Sequence, residues 1–265
     1  RSQYRVAWRR MAANTGERTL IAAVVPPGPT LIQTVGSATV PGSVASTVLV
    51  AGALQSLISD FAVRVTPKAD ILFSTIQRLP YVGEGHASSI LLRTLRLNCV
   101  TDAYADLWNQ CFRKTFFHDE WSGGVEYSGR KGLGEVTENW SIHVPLRRAS
   151  DRRQALLEID ALVALSLGIS EDELCSVYKT QFPVLLGYDR SRDLFDINGR
   201  LVPSSVANRQ RGPIRDDGTV QKDGSLSSHH PQSDIEYHYQ PPFTSLDREA
   251  DLRRAYRRFA SWGAK

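Results

Sequence analysis

Few residues in this chain have the types and spacing that run chemistry. His118, Asp119 and Glu120 are consecutive and bring together an imidazole and two carboxylates. Such a set binds metals or moves protons, and it is what a stand-alone hydrolase would use. Consecutive side chains point in different directions on any regular element, so they seldom converge on one ion. His229 and His230 fall in a polar stretch that reads as solvent-exposed. The run Gly129-Arg-Lys-Gly-Leu-Gly134 has no strand before it and no helix cap after it, so it reads as a flexible turn. Cys99, Cys111 and Cys175 contain no CxxC pair, which excludes a disulfide scaffold and a Cys-based zinc module. They read as small buried apolar residues. The dinucleotide fingerprint, the P-loop and the G-x-S-x-G elbow do not occur. The sequence therefore assigns this chain no catalytic residue, no metal site and no cofactor of its own.

Charge offers a second kind of chemistry. Residues 1–18 hold Arg1, Arg5, Arg9, Arg10 and Arg18 against Glu17 alone, a net of +4 that equals the net charge of all 265 residues. A second cluster, Arg248, Arg253, Arg254, Arg257 and Arg258, is opposed by Glu249 and Asp251. Local basic patches suit phosphate backbones. Arg5, Arg9 and Arg10 flank Trp8, a core residue, and are phosphate candidates. Glu249 precedes Arg253 by four residues, the favourable helical order, so part of the second cluster is compensated. No run of 18 apolar residues occurs, so the expectation is a cytoplasmic protein with no membrane span. The chain starts at Arg1 and its only methionine is Met11, which suggests a piece of a longer protein.

The elements that would position these residues follow from periodicity. Residues 18–25 read as a buried strand stopped by Pro26-Pro27-Gly28-Pro29. Residues 45–65 read as one helix, with Val50, Leu54, Leu57, Ile58, Phe61 and Val65 as its apolar stripe and Gln55, Ser56, Ser59 and Asp60 on the other side. Residues 71–76 read as a second strand closed by Leu79-Pro80. Helices are predicted over 86–98 and from Thr101-Asp102, the latter with the stripe Tyr104, Leu107, Trp108, Cys111 and Phe112. Residues 118–145 hold five of the 19 glycines and read as a loop or small hairpin between helices. Residues 151–167 are helical with Gly168 as the stop, and Ser170 with Glu173 forms a capping box. Residues 203–234 read as extended or mobile. Leu246-Asp247 starts a last helix. The fold class is α+β: a small sheet with a packed helix, a mainly helical region, then an extended tail ending in a helix.

The ordered set of motifs resembles a known family. Tyr4-Arg-Val-Ala-Trp8, Asn14-x-x-Glu17-Arg18-Thr19 and the apolar run ending Pro26-Pro27-Gly28 are similar to the target recognition region of large N6-adenine DNA methyltransferases. These are the type IIG and type ISP restriction–modification enzymes and the methylases of the BREX and DISARM phage-defence systems. Leu54-Gln55-Ser56, Leu79-Pro80, Leu97-Asn98-Cys99, Glu158-Ile-Asp160-Ala-Leu-Val163, Thr180-x-Phe182-Pro183 and Asp247-Arg248-Glu249-Ala250 continue the likeness in order. The family often has Leu-Asn-Ser at the first of these. Residues 118–145 and 200–240 align with nothing in it.

The resemblance implies residues 1–84 as the latter part of a target recognition domain. It implies 85–190 as a helical spacer with the inserted loop 118–145, and 191–265 as an extended segment and C-terminal helix. It implies duplex DNA as partner, and a catalytic methyltransferase domain, using S-adenosylmethionine, that this chain lacks. The DNA-facing set is Arg5, Arg9, Arg10, Arg18, Arg64 and Lys68, with Thr66 in the same loop. Arg18 has two readings: contact with a phosphate or base edge, or pairing with Glu17 to hold the strand entrance. From another class comes an interaction module that docks partner proteins of a phage-defence complex, with residues 200–240 ordered on binding.

Overall fold

The computed structural model describes residues 2–66, 69–211 and 226–263. Lys68, and residues 212–225 of the stretch expected to be mobile, lie outside the described residues.

The chain opens with a three-stranded antiparallel sheet. Its centre is β1 (Arg5–Arg9), flanked by β2 (Ala22–Val25) and β3 (Val35–Ala38), with Arg5 opposite Val25 and Val6 opposite Ala38. The strand expected over 18–25 starts later, because the amides of Thr19 and Leu20 donate to the Asp60 carboxylate at 3.0–3.2 Å instead of joining a ladder. β1 and β3 carry no clean apolar alternation, and periodicity does not predict them.

Helix α1 (Val44–Leu54) is capped by Ser43, whose Oγ accepts from the Ser46 amide, and α2 (Leu57–Arg64) follows after a bend of 65°. The single helix expected over 45–65 is therefore two. Ser56 breaks it: its Oγ accepts from the Ser59 amide as a new N-cap, and the Leu57 amide donates to Asp160 at 2.7 Å. The supposed solvent side, Ser56, Ser59 and Asp60, is consequently buried. The strand expected over 71–76 is instead the short helix α3 (Phe73–Ile76). Only the approach is extended, through the Met11–Asp70 bridge and the Ile71 amide donating to Arg10 O. A short apolar run does not distinguish the two states by period.

α4 (Ala87–Asn98), α5 (Ala105–Cys111) and α6 (Ala149–Ser166) match their predicted places. α6 stops at Gly168, whose φ of 70° suits glycine; its amide donates to Leu165 O and that of Ile169 to Ala164 O. α7 (Glu171–Gln181) begins with the Ser170–Glu173 capping box, and Pro183 is the first residue of α8 (Pro183–Gly187). The described parts of 203–234 form α9 (Ser204–Arg211), where an extended stretch was expected, and the strand β4 (Ser227–His230), which pairs with β5 (Ile235–His238) as a hairpin. Val202, Val206 and Ala207 pack there with Leu226, Tyr239 and Phe243, a small cluster too dispersed in sequence to show as periodicity. α10 (Arg248–Gly263) is capped by Asp247, whose Oδ1 accepts from the Ala250 amide.

The elements enclose two larger cores that meet at α4. Leu91, Leu92 and Leu95 join Val6, Trp8, Val48, Trp108 and Phe116; Ile90 and Leu97 join Leu57, Leu162, Phe182 and Phe259. α1 approaches α4 so closely at Gly52 that a Cβ there would collide with Thr94 and Ile90. Side chains from both sides of residue 84 share each core. The architecture is mixed α+β. Among the described residues no single helix is long and apolar enough to cross a membrane.

Candidate nucleic-acid interface

β1 places Arg5 and Arg9 at its ends, and Arg10 follows. Trp8 between them is buried; its Nε1 donates to Ile71 O at 2.9 Å, and Gly36 of β3 lies against the indole with no room for a Cβ. This fixes the strand, and the arginines then hold the neighbouring connection. Arg5 Nη2 donates to Pro29 O at 2.7 Å, and Arg10 Nη1 donates to Gln33 O at 3.0 Å. Arg10 also approaches the half-exposed Asp70 at 3.5 Å. Among the described residues no carboxylate lies within ion-pair distance of Arg5 or Arg9, and the Nε of each is buried without a hydrogen-bond partner. An open groove of about 570 Å³ runs here, lined among others by Arg5, Trp8, Arg10, Gln33 and Phe73. Guanidinium groups steadied by carbonyls keep their positive charge available to an anion.

The Asn14–Thr19 motif has a different environment. Thr19 Oγ1 donates to Asn14 Oδ1 at 2.9 Å, closing the turn, while Asp60 takes the Thr19 and Leu20 amides. Arg18 does not pair with Glu17. It lies 3.6 Å from the buried Asp160 and over the Phe182 ring at 5.7 Å. Arg64, expected beside DNA, is enclosed: Nε donates to Asp60, Nη1 to Gln181 O, and Nη2 to the carbonyls of Gly16 and Glu17, with Phe182 beneath at 4.3 Å. The buried carboxylates draw both guanidinium groups inward, because a buried charge left unpaired is costly. Burial pushes Asp60 and Asp160 above the usual carboxylate range, and Arg18 works against it at both. The motif thus pins the entrance of β2 to α2 and α6. Thr66 closes α2, its Oγ1 donating to Ala62 O.

In the His118–Glu120 run the two carboxylates are held by arginines, while His118 is exposed. Both Asp119 oxygens accept from Arg93, at 2.9 and 3.1 Å, and the Glu120 carboxylate takes Arg258 at 2.7 Å. Among the described residues no group of three His, Cys, Asp or Glu is placed to hold a metal. His229 and His230 sit on the exposed hairpin, His229 being 3.6 Å from Asp234. The three thiols are buried, which pushes the Cys111 pKa up to about 11 and that of Cys99 further. In the Gly129–Gly134 turn, Gly132 O and Leu133 O accept from Arg96 Nη1. The C-terminal arginines are largely neutralised: Arg248 by Asp189, Arg253 by Glu171, Asp172 and Glu249, Arg254 by Asp251, and Arg257 by Glu171.

Sequence reasoning missed a second cationic groove, lined among others by Arg96, Lys131, His143, Arg147 and Arg148. Its signals were the Arg147-Arg148 pair just before α6 and an arginine inside the leucine-rich α4. No family model matches the chain, no curated protein is detectably similar to it, and no solved structure matches it.

Proposed function

We propose that this chain is the DNA-recognition and scaffold part of an N6-adenine DNA methyltransferase of a restriction–modification or phage-defence system. It would hold duplex DNA while a catalytic domain outside this chain, using S-adenosylmethionine, flips and methylates adenine. The carrying observation is the groove beside β1, where Arg5 and Arg10 are anchored by carbonyls and Arg5 faces no carboxylate among the described residues. The ordered sequence resemblance supplies the class of enzyme. Arg5, Arg9 and Arg10 bind phosphates in this reading. Arg18 and Arg64 hold the recognition fold together.

The test is duplex binding by fluorescence anisotropy across a salt series. Replacing Arg5, Arg9 and Arg10 with Ala should weaken binding to every duplex alike and lower the log–log salt slope by roughly 0.9 for each phosphate no longer neutralised. Unchanged affinity and slope in a folded triple variant would remove the DNA-facing assignment.

A second reading, a module docking partner proteins of a defence complex, is favoured by one feature. An apolar cavity of about 270 Å³ between the sheet and α1 is lined in part by Phe73 and Tyr81, which are 51% and 67% exposed. Salt-insensitive binding to a partner protein, in place of salt-steep DNA binding, would favour it.

A further inference from the structure

Arg96 is almost wholly buried, at 3% exposed, yet among the described residues no carboxylate pairs with it. Its Nε donates to Val144 O at 2.9 Å, and its Nη1 to Leu133 O at 2.7 Å and Gly132 O at 3.3 Å. Nη2 has no hydrogen-bond partner among the described residues, and the side chain lines an open cavity of about 500 Å³. A buried cation satisfied only by carbonyls is an unusual arrangement, because carbonyls answer its donors but not its charge.

The surroundings add charge of the same sign. Lys131, Arg147 and Arg148 line the same cavity and are exposed, and His143 stands beside them. Arg147 is steadied by Val100 O at 3.1 Å, and Arg148 lies 5.8 Å from the Tyr127 ring centre. The first turn of the 18-residue α6 opens here, with Arg148 as an N-cap that makes no side-chain capping bond. A helix N-terminus carries partial positive charge; the Ser150 amide in this first turn is already taken, donating to Gly199 O at 3.1 Å. One carboxylate, Asp151, also lines the cavity. It is already engaged, accepting from the Tyr127 hydroxyl and from Arg130 Nε at 3.1 Å.

We infer that this cavity is a phosphate-binding site, with Arg96 at its base and Lys131, Arg147 and Arg148 at its rim. Phosphate fits because its several acceptor oxygens can meet a buried guanidinium and the exposed rim cations together. Burial draws the Arg96 pKa down to about 10, with Asp151 and Glu135 only partly opposing. The phosphate could belong to a nucleic-acid backbone or to a small free molecule, and the site stands without the DNA reading of β1.

The experiment titrates the full chain with inorganic phosphate by calorimetry, and separately with duplex DNA across a salt series. The comparison protein is the double variant Arg147→Glu, Arg148→Glu, which alters only exposed rim residues. Saturable phosphate binding weakened about tenfold or more in the variant, the loss of at least one charge-assisted hydrogen bond, is the expected result. A lowered salt slope in the DNA arm would identify a backbone phosphodiester as the source; an unchanged slope would identify a free phosphate. Because Arg96→Met removes the loop anchor and could unfold the protein, Arg148→Glu alone serves as the second variant. No phosphate binding, or equal binding by folded wild type and variants, overturns the site.

Discussion

Arg93 and Arg96 lie one turn apart on α4, both buried, with opposite surroundings. Arg93 donates Nε to Glu158 at 2.7 Å and both Nη groups to Asp119. Burial works against its charge, but Glu158 and Asp119 outweigh that and raise its pKa. Arg96 meets only carbonyls, and its pKa falls to about 10. The same division separates Arg18 and Arg64, which face Asp160 and Asp60, from Arg5, which faces Pro29 O. Arg18, Arg64 and Arg93 are held by buried carboxylates, whereas among the described residues Arg5 and Arg96 meet carbonyls that leave their charge uncompensated. A basic composition says nothing about which kind a given arginine is; its nearest acceptor does.

The largest test of this division is Arg93→Met. It leaves Glu158 and Asp119 buried without their cation, and should cost on the order of 3–5 kcal/mol by urea unfolding at constant m. Arg96→Met also strands acceptors, the carbonyls of Val144 and Leu133, but it removes an uncompensated charge as well. Its cost should be smaller, about 1–3 kcal/mol. Equal losses would show that partner chemistry does not separate the two.

Arg64→Ala should come next, at about 2–3 kcal/mol, because it strips Asp60 of a cation and leaves three carbonyls without a donor. The comparison sharpens in the other readout. Where Arg64→Ala remains folded, its salt slope on DNA should equal that of wild type, whereas the Arg5, Arg9, Arg10 variant should keep its stability to within about 1 kcal/mol and lose slope. A reversed pattern would put Arg64 back at the DNA. Asn14→Ala should cost about 1 kcal/mol, one neutral hydrogen bond to Thr19, visible as a small shift in the unfolding midpoint.

Much of the helical frame was legible because local signals and tertiary packing agree there. The Ser170–Glu173 box, Gly168 and the Tyr104–Phe112 stripe are each set within a few residues of chain. Of the sheet, β2 was legible but β1 and β3 were not, because β1 is defined by partners 14 or more residues away and carries arginines at both ends. The single helix over 45–65 failed for a related reason. Ser56 and Asp60 look like a solvent face, and only distant partners, the Thr19 and Leu20 amides at Asp60 and the Asp160 carboxylate at the Leu57 amide, make it an interior one. The arginines of the DNA-facing set could be found by type, but not sorted. Sorting them requires knowing which carboxylate or carbonyl each one meets, and those partners are distant in sequence.

The smallest effect expected is on the acid limb of stability, and it too divides the carboxylates by environment. Glu171 accepts from Arg257 at 2.8 and 2.9 Å and from Arg253 at 2.9 Å; these hydrogen bonds hold its carboxyl below the ordinary 4.5. The native state therefore binds fewer protons here than the unfolded chain. The stability this confers is present above pH 4.5 and is lost as pH falls through the lowered native value. Asp160 has the opposite sign: burial raises its pKa above 3.8, so protonation on acidification favours the native state. Glu171→Gln should then lower the thermal midpoint at pH 7, and the gap from wild type should narrow steadily below pH 4.5. High salt should narrow the gap at pH 7 as well, because Arg257 is 71% exposed and its pairing is screened. A gap of constant size from pH 7 to pH 3 would mean that Glu171 supports α7 and α10 through packing alone, and that the cations around it are solvated charge.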